Sequence, residues 1–176
     1  MKLYVARHGQ TQWNVDNKVC GVTDVPLTDV GLEQACRLAE EAARYPIDVI
    51  IASPLLRARQ TAETVAAALG LPVAVDERLH EQRYGIFEGK DRGDPAFLAN
   101  TRQFVTRYPG GESMFDLAYR VYDLLHEIKV TYPDKNVLLV CHGGVFRVIH
   151  TYFYDMSNDA YFHHSAPNAE LVAYEF

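Results

Sequence analysis

The sequence predicts an α/β fold, a three-layer α/β/α sandwich around a mostly parallel central sheet. Three observations predict it. Strand-like and helix-like patterns alternate along the chain, the arrangement that builds parallel sheets. The central strand candidates are short and almost continuously apolar, as strands covered on both faces must be. Polar or glycine-bearing residues follow several of them directly, where open α/β sheets bind ligands.

The first strand is Lys2 to Ala6, and it ends abruptly in Arg7-His8-Gly9, with Gln10-Thr11 and Asn14 beyond. Thr28 then caps an amphipathic helix carrying Leu32, Ala35, Cys36, Leu38, Ala39 and Ala42. Asp48 to Ala52 is a second strand. Ser53-Pro54 reads as an N-cap and N1 proline opening a helix that runs toward Leu69 and stops at Gly70. Pro72 to Val75 is a short third strand. Residues 79 to 111 are the least regular, with a helix expected through Phe97 to Arg107. Ser113 to Asp116 resembles a capping box, starting a helix that reaches about Thr131. Asn136 to Cys141 is the fourth strand, running into His142-Gly143-Gly144 and a helix through Tyr154. Glu170 to Phe176 is the closing strand. With no repeat, low-complexity tract or linker, residues 1–176 read as a single domain.

A chain of 176 residues, 48% hydrophobic and 23% charged, can bury a sufficient core unaided. A net charge of −6 without a Lys/Arg cluster argues against a nucleic-acid partner. An anionic substrate therefore needs a local positive pocket. Three cysteines, Cys20, Cys36 and Cys141, are odd in number and lack CxxC pairing, which points to a reducing compartment. No signal-peptide pattern or bilayer-length apolar run is seen, so cytoplasmic location and no membrane partner are expected.

The chemistry concentrates at three strand ends: Arg7-His8-Gly9, Ser53 with Arg57 one helical turn on, and His142-Gly143-Gly144. A parallel sheet brings such ends to one edge. Arginine offers a planar fork of donors suited to phosphate oxygens, and neutral histidine can attack phosphorus. Helix N-termini add positive dipole ends. Alone, Arg57 reads as a solvated helix arginine and His142 as a satisfied strand-end histidine. Jointly they describe a dianion site.

These motifs resemble the histidine phosphatase superfamily, the phosphoglycerate-mutase-like family. The matching segments are Arg7 to Thr11 with Asn14, Asp24 to Thr28 with Gly31 and Gln34-Ala35, and Ser53, Arg57, Gln60 and Thr61. They continue as Leu79, Glu81, Tyr84-Gly85 and Glu88-Gly89, then Pro109 to Ser113, then His142 to Gly144. The resemblance spans residues 3 to 147 in family order, and it implies a metal-independent reaction with no cofactor. It makes His8 the nucleophile that forms a phosphohistidine. Arg7, Arg57 and His142 would hold the phosphoryl oxygens, with Asn14 adding a polar contact and Gly21, Tyr84 and Gly143 completing the binding set. Glu81 would protonate the leaving group. Glu88 and Glu112 are rival acids, better read as caps or ion-pair partners.

Phosphatase and mutase compete within the resemblance. A mutase must shield its phosphoenzyme, and the resemblance implies that phosphoglycerate mutases do so with a long insertion after the Glu segment and a C-terminal tail. The short segment from Gly89 to Pro109 and the ending at Phe176 are therefore expected to mean a phosphatase acting on a small phosphorylated metabolite. A catalytically dead phosphate- or phosphopeptide-binding module is the third reading, and no catalytic position is vacant. Cys141 to Arg147 also fits Cys-x5-Arg, but Val148 stands where such loops carry Ser or Thr, and a buried apolar Cys141 is the better reading. His163-His164 lack the spacing of a metal site. The aromatics between Tyr152 and Phe162 read as core or as a subunit contact, a homodimer being the assembly considered. Arg83, Lys90, Arg92 and Arg102 read as solvated surface charge.

Overall fold

In the computed structural model, which describes residues 1–176, one five-stranded sheet forms the middle layer. Its strands are β1 (Lys2–Arg7), β2 (Val49–Ala52), β3 (Val73–Val75), β4 (Val137–Cys141) and β5 (Leu171–Glu175), in the order β3-β2-β4-β1-β5. The first four are parallel, and β5 runs antiparallel along β1. The helices are α1 (Gln12–Val15), α2 (Asp29–Ala42), α3 (Leu56–Leu69), α4 (Pro95–Thr101), α5 (Met114–Thr131), α6 (Gly143–Phe153) and α7 (Asn158–His163). None is long and apolar enough to cross a membrane.

Successive strand side chains face opposite ways, and both faces are apolar. Tyr4, Leu138 and Ile50 lie in register across β1, β4 and β2 and pack under α2 and α3. Their neighbours Val5, Leu139 and Ile51 face α5 and α6. Both clusters are closed to water, and each buried aliphatic side chain contributes roughly 1.5–3 kcal/mol. The α/β/α sandwich is thus the predicted one, with α2 capped by Thr28 and α5 by the Ser113–Asp116 capping box.

Two helices differ from expectation. Ser53 and Pro54 lie outside α3, which starts at Leu56. The Ser53 hydroxyl is engaged by His142, and the amide of Leu56 donates instead to Asp24 Oδ1 at 2.7 Å. The α3 N-terminus is therefore capped from a distant loop, which no local pattern could reveal. The helix expected over Phe97 to Arg107 is α4, shorter and earlier. Asp94 caps it and Pro95 sits in its first turn, an N-terminal signal the periodicity obscured. Beyond Thr101 the chain leaves helix, placing Phe104 against Phe162 and Tyr108 against Phe87 and Phe97. The short helices α1 and α7 carry no helical signal in the sequence, since four and six residues hold too little periodicity to register.

Candidate active site

The carboxyl ends of β1, β2 and β4 share one edge, so Arg7-His8, Ser53 and His142 converge. The His8 backbone is held on both sides. Its N–H donates to Cys141 O at 3.0 Å and its carbonyl accepts from Asn168 Nδ2 at 2.8 Å. Gly9 N–H donates to Thr61 Oγ1 at 3.1 Å, tying the strand end to α3.

The His8 ring is 4% exposed, with Nδ1 2.7 Å from the Gly9 carbonyl. A carbonyl only accepts, so Nδ1 carries the proton and Nε2 the lone pair. Burial first, then Arg57 and Arg7, push its pKa well below the ordinary imidazole value. The ring is therefore neutral near pH 7. Arg57 is completely buried. Its Nε lies 3.3 Å from His8 Nε2, while Nη1 and Nη2 donate to Thr23 O at 3.0 Å and Gly21 O at 2.6 Å. His142 is likewise buried and its ring centre is 5.1 Å from that of His8. Its Nε2 meets Ser53 Oγ at 2.7 Å, and its Nδ1 is buried without a partner. Burial, then Arg57, hold His142 neutral as well.

A cavity of about 120 Å³ opens over this edge, lined by Arg7, His8, Asn14, Glu81, Tyr84 and Gly143 among the expected residues. Arg7 donates through Nη1 to Ala166 O at 2.9 Å, and its Nε is buried and unpaired. Glu81 is anchored at both oxygens. Oε1 accepts from its neighbour Gln82 N at 2.8 Å and Oε2 from Gly144 N at 2.9 Å, in the first turn of α6. A Cβ at position 144 would lie 2.5 Å from Glu81 Oε1, so this approach requires glycine. Asn14 spends Oδ1 on Thr11 N and Oγ1, closing the α1 capping box, and keeps its amide group for the cavity. Tyr84 packs edge-on against Phe97 and Tyr108, and burial raises its phenol pKa.

Other expected residues fall elsewhere. Arg57 and His142 are not among the residues lining the cavity; both are completely buried against His8, Arg57 on the side of its Nε2. Gly21 does not line it either, because its N–H donates to Glu88 and its carbonyl receives Arg57. Glu88 collects the amides of Gly21, Val22 and Thr23, and Glu112 pairs with Arg120 at 2.7 Å, so both are structural holders. Cys141 points into the core, where burial pushes its thiol pKa up, so the Cys-x5-Arg pattern carries no nucleophile.

Arg92 and Arg147 do line the cavity, which corrects the surface reading of Arg92. Arg92 Nε donates to Lys18 O at 3.1 Å, and Arg147 Nε is buried and unpaired. Arg147 had a legible signal: it lies one turn beyond Gly143-Gly144 on the same helix. Cys20 and Ser165 also line the wall, and nothing in their local sequence announces it. Arg83 and Lys90 are exposed, as expected, whereas Arg102, though exposed, lines the rim of a neighbouring cavity and lies 5.3 Å over the Phe162 ring, which corrects its surface reading too. Tyr161 and Phe162, in contrast, line a second, larger cavity beside the first. No group of three or more His, Cys, Asp or Glu side chains that could hold a metal ion is formed.

A buried neutral histidine flanked by arginines at the edge of a parallel sheet defines a histidine-phosphatase type of site. The family model described as Histidine phosphatase superfamily (branch 1) matches residues 3–176, and the chain belongs to that family. It is 35% identical over 147 residues to Bacillus subtilis "Uncharacterized phosphatase PhoE", covering 84% of this chain and 74% of that protein. It is 37% identical over 151 residues to "Probable phosphoglycerate mutase GpmB" of Salmonella choleraesuis, covering 81% of this chain and 70% of that protein. Among solved structures, a mycobacterial glucosyl-3-phosphoglycerate phosphatase superposes with a TM-score of 0.87 at 29% identity, covering 98% of this chain and 88% of that chain. The alpha-ribazole phosphatase of Shigella flexneri gives 0.85 at 28% identity, covering 98% and 89%.

Proposed function

We propose that this protein hydrolyses a small phosphorylated metabolite through a phosphohistidine on His8. One observation carries the reading: Nδ1 of a neutral His8 is committed to the Gly9 carbonyl, which leaves Nε2 as a nucleophile beside Arg7 and Arg57. His8 Nε2 attacks phosphorus and the bond from phosphorus to the ester oxygen breaks. Arg7, Arg57 and His142 stabilise the charge spreading over the phosphoryl oxygens, the main source of catalysis in phosphoryl transfer. Arg57 turns its Nε from His8 Nε2 to a phosphoryl oxygen as substrate enters. Glu81 gives its proton to the leaving alkoxide, then takes one from the water that attacks the phosphohistidine, and inorganic phosphate departs. Asn14 Nδ2 and the Gly143 amide at the start of α6 complete the cradle.

Hydrolysis is favoured over isomerisation because the segment from Gly89 to Pro109 is short for a lid. Both structural relatives named above are called phosphatases. The likeness to a protein named as a mutase makes isomerisation the reading to test against. With 3-phosphoglycerate and a bisphosphoglycerate primer, phosphate release should exceed isomer formation and persist in EDTA. An acid-labile, alkali-stable phosphoryl label should be trapped and be absent in His8→Ala. Isomerisation outrunning hydrolysis, or a label retained in His8→Ala and lost in Cys141→Ser, overturns the proposal.

A further inference from the structure

Beside the small cavity lies a second one of about 330 Å³, and the two share Tyr84, Arg92 and Arg147 in their walls. The larger volume falls at the lower end of the range for small-molecule sites. Its walls include Phe97, Phe104, Tyr108, Tyr161 and Phe162. Phe104 and Phe162 lie nearly parallel, ring centres 5.7 Å apart, and Tyr161 meets Phe104 edge-on. Neither Phe104 nor Phe162 belongs to any of the three core clusters. These are large apolar rings spent on a cavity wall rather than on the core, where an aromatic side chain ordinarily contributes most.

A second, independent feature is polar. Gln82 lines the same cavity and is 7% exposed; its backbone N–H donates to Glu81, and its carboxamide, which makes no hydrogen bond within the chain, is accessible from the cavity. A carboxamide with no partner in the chain presents a donor and an acceptor to whatever enters the cavity. A glutamine side chain matches the adjacent donor and acceptor of a planar heterocycle edge. A guanidinium also offers a flat surface for ring stacking, and Arg147 lies at the junction, over Tyr161 at 5.5 Å.

Resting on the phosphomonoesterase reading, we infer that the substrate is a phosphomonoester whose alcohol half carries a planar, hydrogen-bonding aromatic ring. The phosphoryl group occupies the small cavity and the ring occupies the large one. Gln82 reads the ring edge, and Phe104 and Phe162 cover apolar surface. Gln82, Phe104 and Phe162 are thereby specificity-determining, with no part in the bond-breaking step.

The test compares esters that share a leaving oxygen and differ only in the ring. Adenosine, guanosine and cytidine 5′-phosphates are each set against ribose 5-phosphate, with kcat/KM measured for phosphate release. At least one ring-bearing ester should exceed ribose 5-phosphate by tenfold or more, and that ratio should fall toward one in Phe104→Ala and in Gln82→Ala. Phe104→Leu, which keeps apolar bulk without the ring, should lose part of it, which guards against a misfolded alanine variant. Calorimetric binding of the same esters to His8→Ala should show the same preference without turnover. Ring-bearing esters turned over and bound no better than ribose 5-phosphate would overturn the inference and leave the phosphatase reading standing. A ring preference in binding with no phosphate released by the wild-type protein would uphold the inference and sink the hydrolytic reading.

Discussion

Replacing Arg57 separates charge from geometry at the proposed nucleophile. The side chain is completely buried, and its guanidinium contacts His8 Nε2 and the carbonyls of Thr23 and Gly21. It is also the largest charged contribution holding His8 neutral, second only to burial. Arg57→Gln removes the charge and leaves the buried Gly21 carbonyl and the partly buried Thr23 carbonyl short of donors, at up to about 1–3 kcal/mol each. Stability should therefore fall by up to ~2–6 kcal/mol, read from urea midpoints. Loss of one preorganised donor to the transition state costs on the order of 10²–10³ in rate, so kcat/KM near pH 7 should drop by at least that. The pH profile is the sharper readout. His8 must be neutral to attack, so its limb lies at acid pH, and removing a neighbouring cation moves that limb upward. Arg57→Lys keeps the cation without the planar fork, so its limb should stay near the wild-type position while the rate stays low. Equal limbs in Arg57→Gln and the wild-type protein, or a rate loss under tenfold, would refute this account of Arg57.

Glu81→Gln should slow esters of poorly acidic alcohols by on the order of 10²–10⁴ and nitrophenyl phosphate far less, since that leaving group needs little protonation. Equal losses on both would make Glu81 a positioning residue held by Gly144. Stability should also fall in acid. His8 and His142 are held neutral in the folded chain well below the ordinary imidazole value, so the unfolded chain binds the extra protons. The contribution is intact above about pH 6.5 and is lost as pH drops from there toward the folded values, by up to roughly 1.4 kcal/mol per histidine per pH unit. The urea midpoint at pH 5 should lie below that at pH 7, with a shallower decline in His8→Asn. A slope identical in that variant would show His8 to be uninvolved.

The strand ends were legible because parallel strands leave few options: an apolar run ending in Arg7-His8-Gly9 or His142-Gly143-Gly144 must deliver those residues to one edge. Glycines, caps and breakers set the boundaries of α2, α5 and α6 for the same local reasons. Where expectation failed, the deciding partner was remote in sequence. Asp24 caps α3 and frees Ser53 for His142, and Glu88 takes the amide of Gly21, a residue that the resemblance places in the phosphate-binding set.

By itself the sequence determined the layer order, the edge at which the chemistry lies, and the residue types that can hold and attack a phosphoryl group. These follow from periodicity and from the handed geometry of parallel sheets, which act over a few residues. Tertiary structure alone decided that Arg57 and His142 are completely buried against His8, that Arg92 and Arg147 line the small cavity, and that Gln82, Phe104 and Phe162 wall a second cavity. Those outcomes depend on the irregular segment from 79 to 111 meeting α6 and α7. Its turns are held by side-chain bonds across long sequence separations, such as Arg83 N to Glu112 Oε1 and Lys18 O to Arg92 Nε, and no local pattern encodes them.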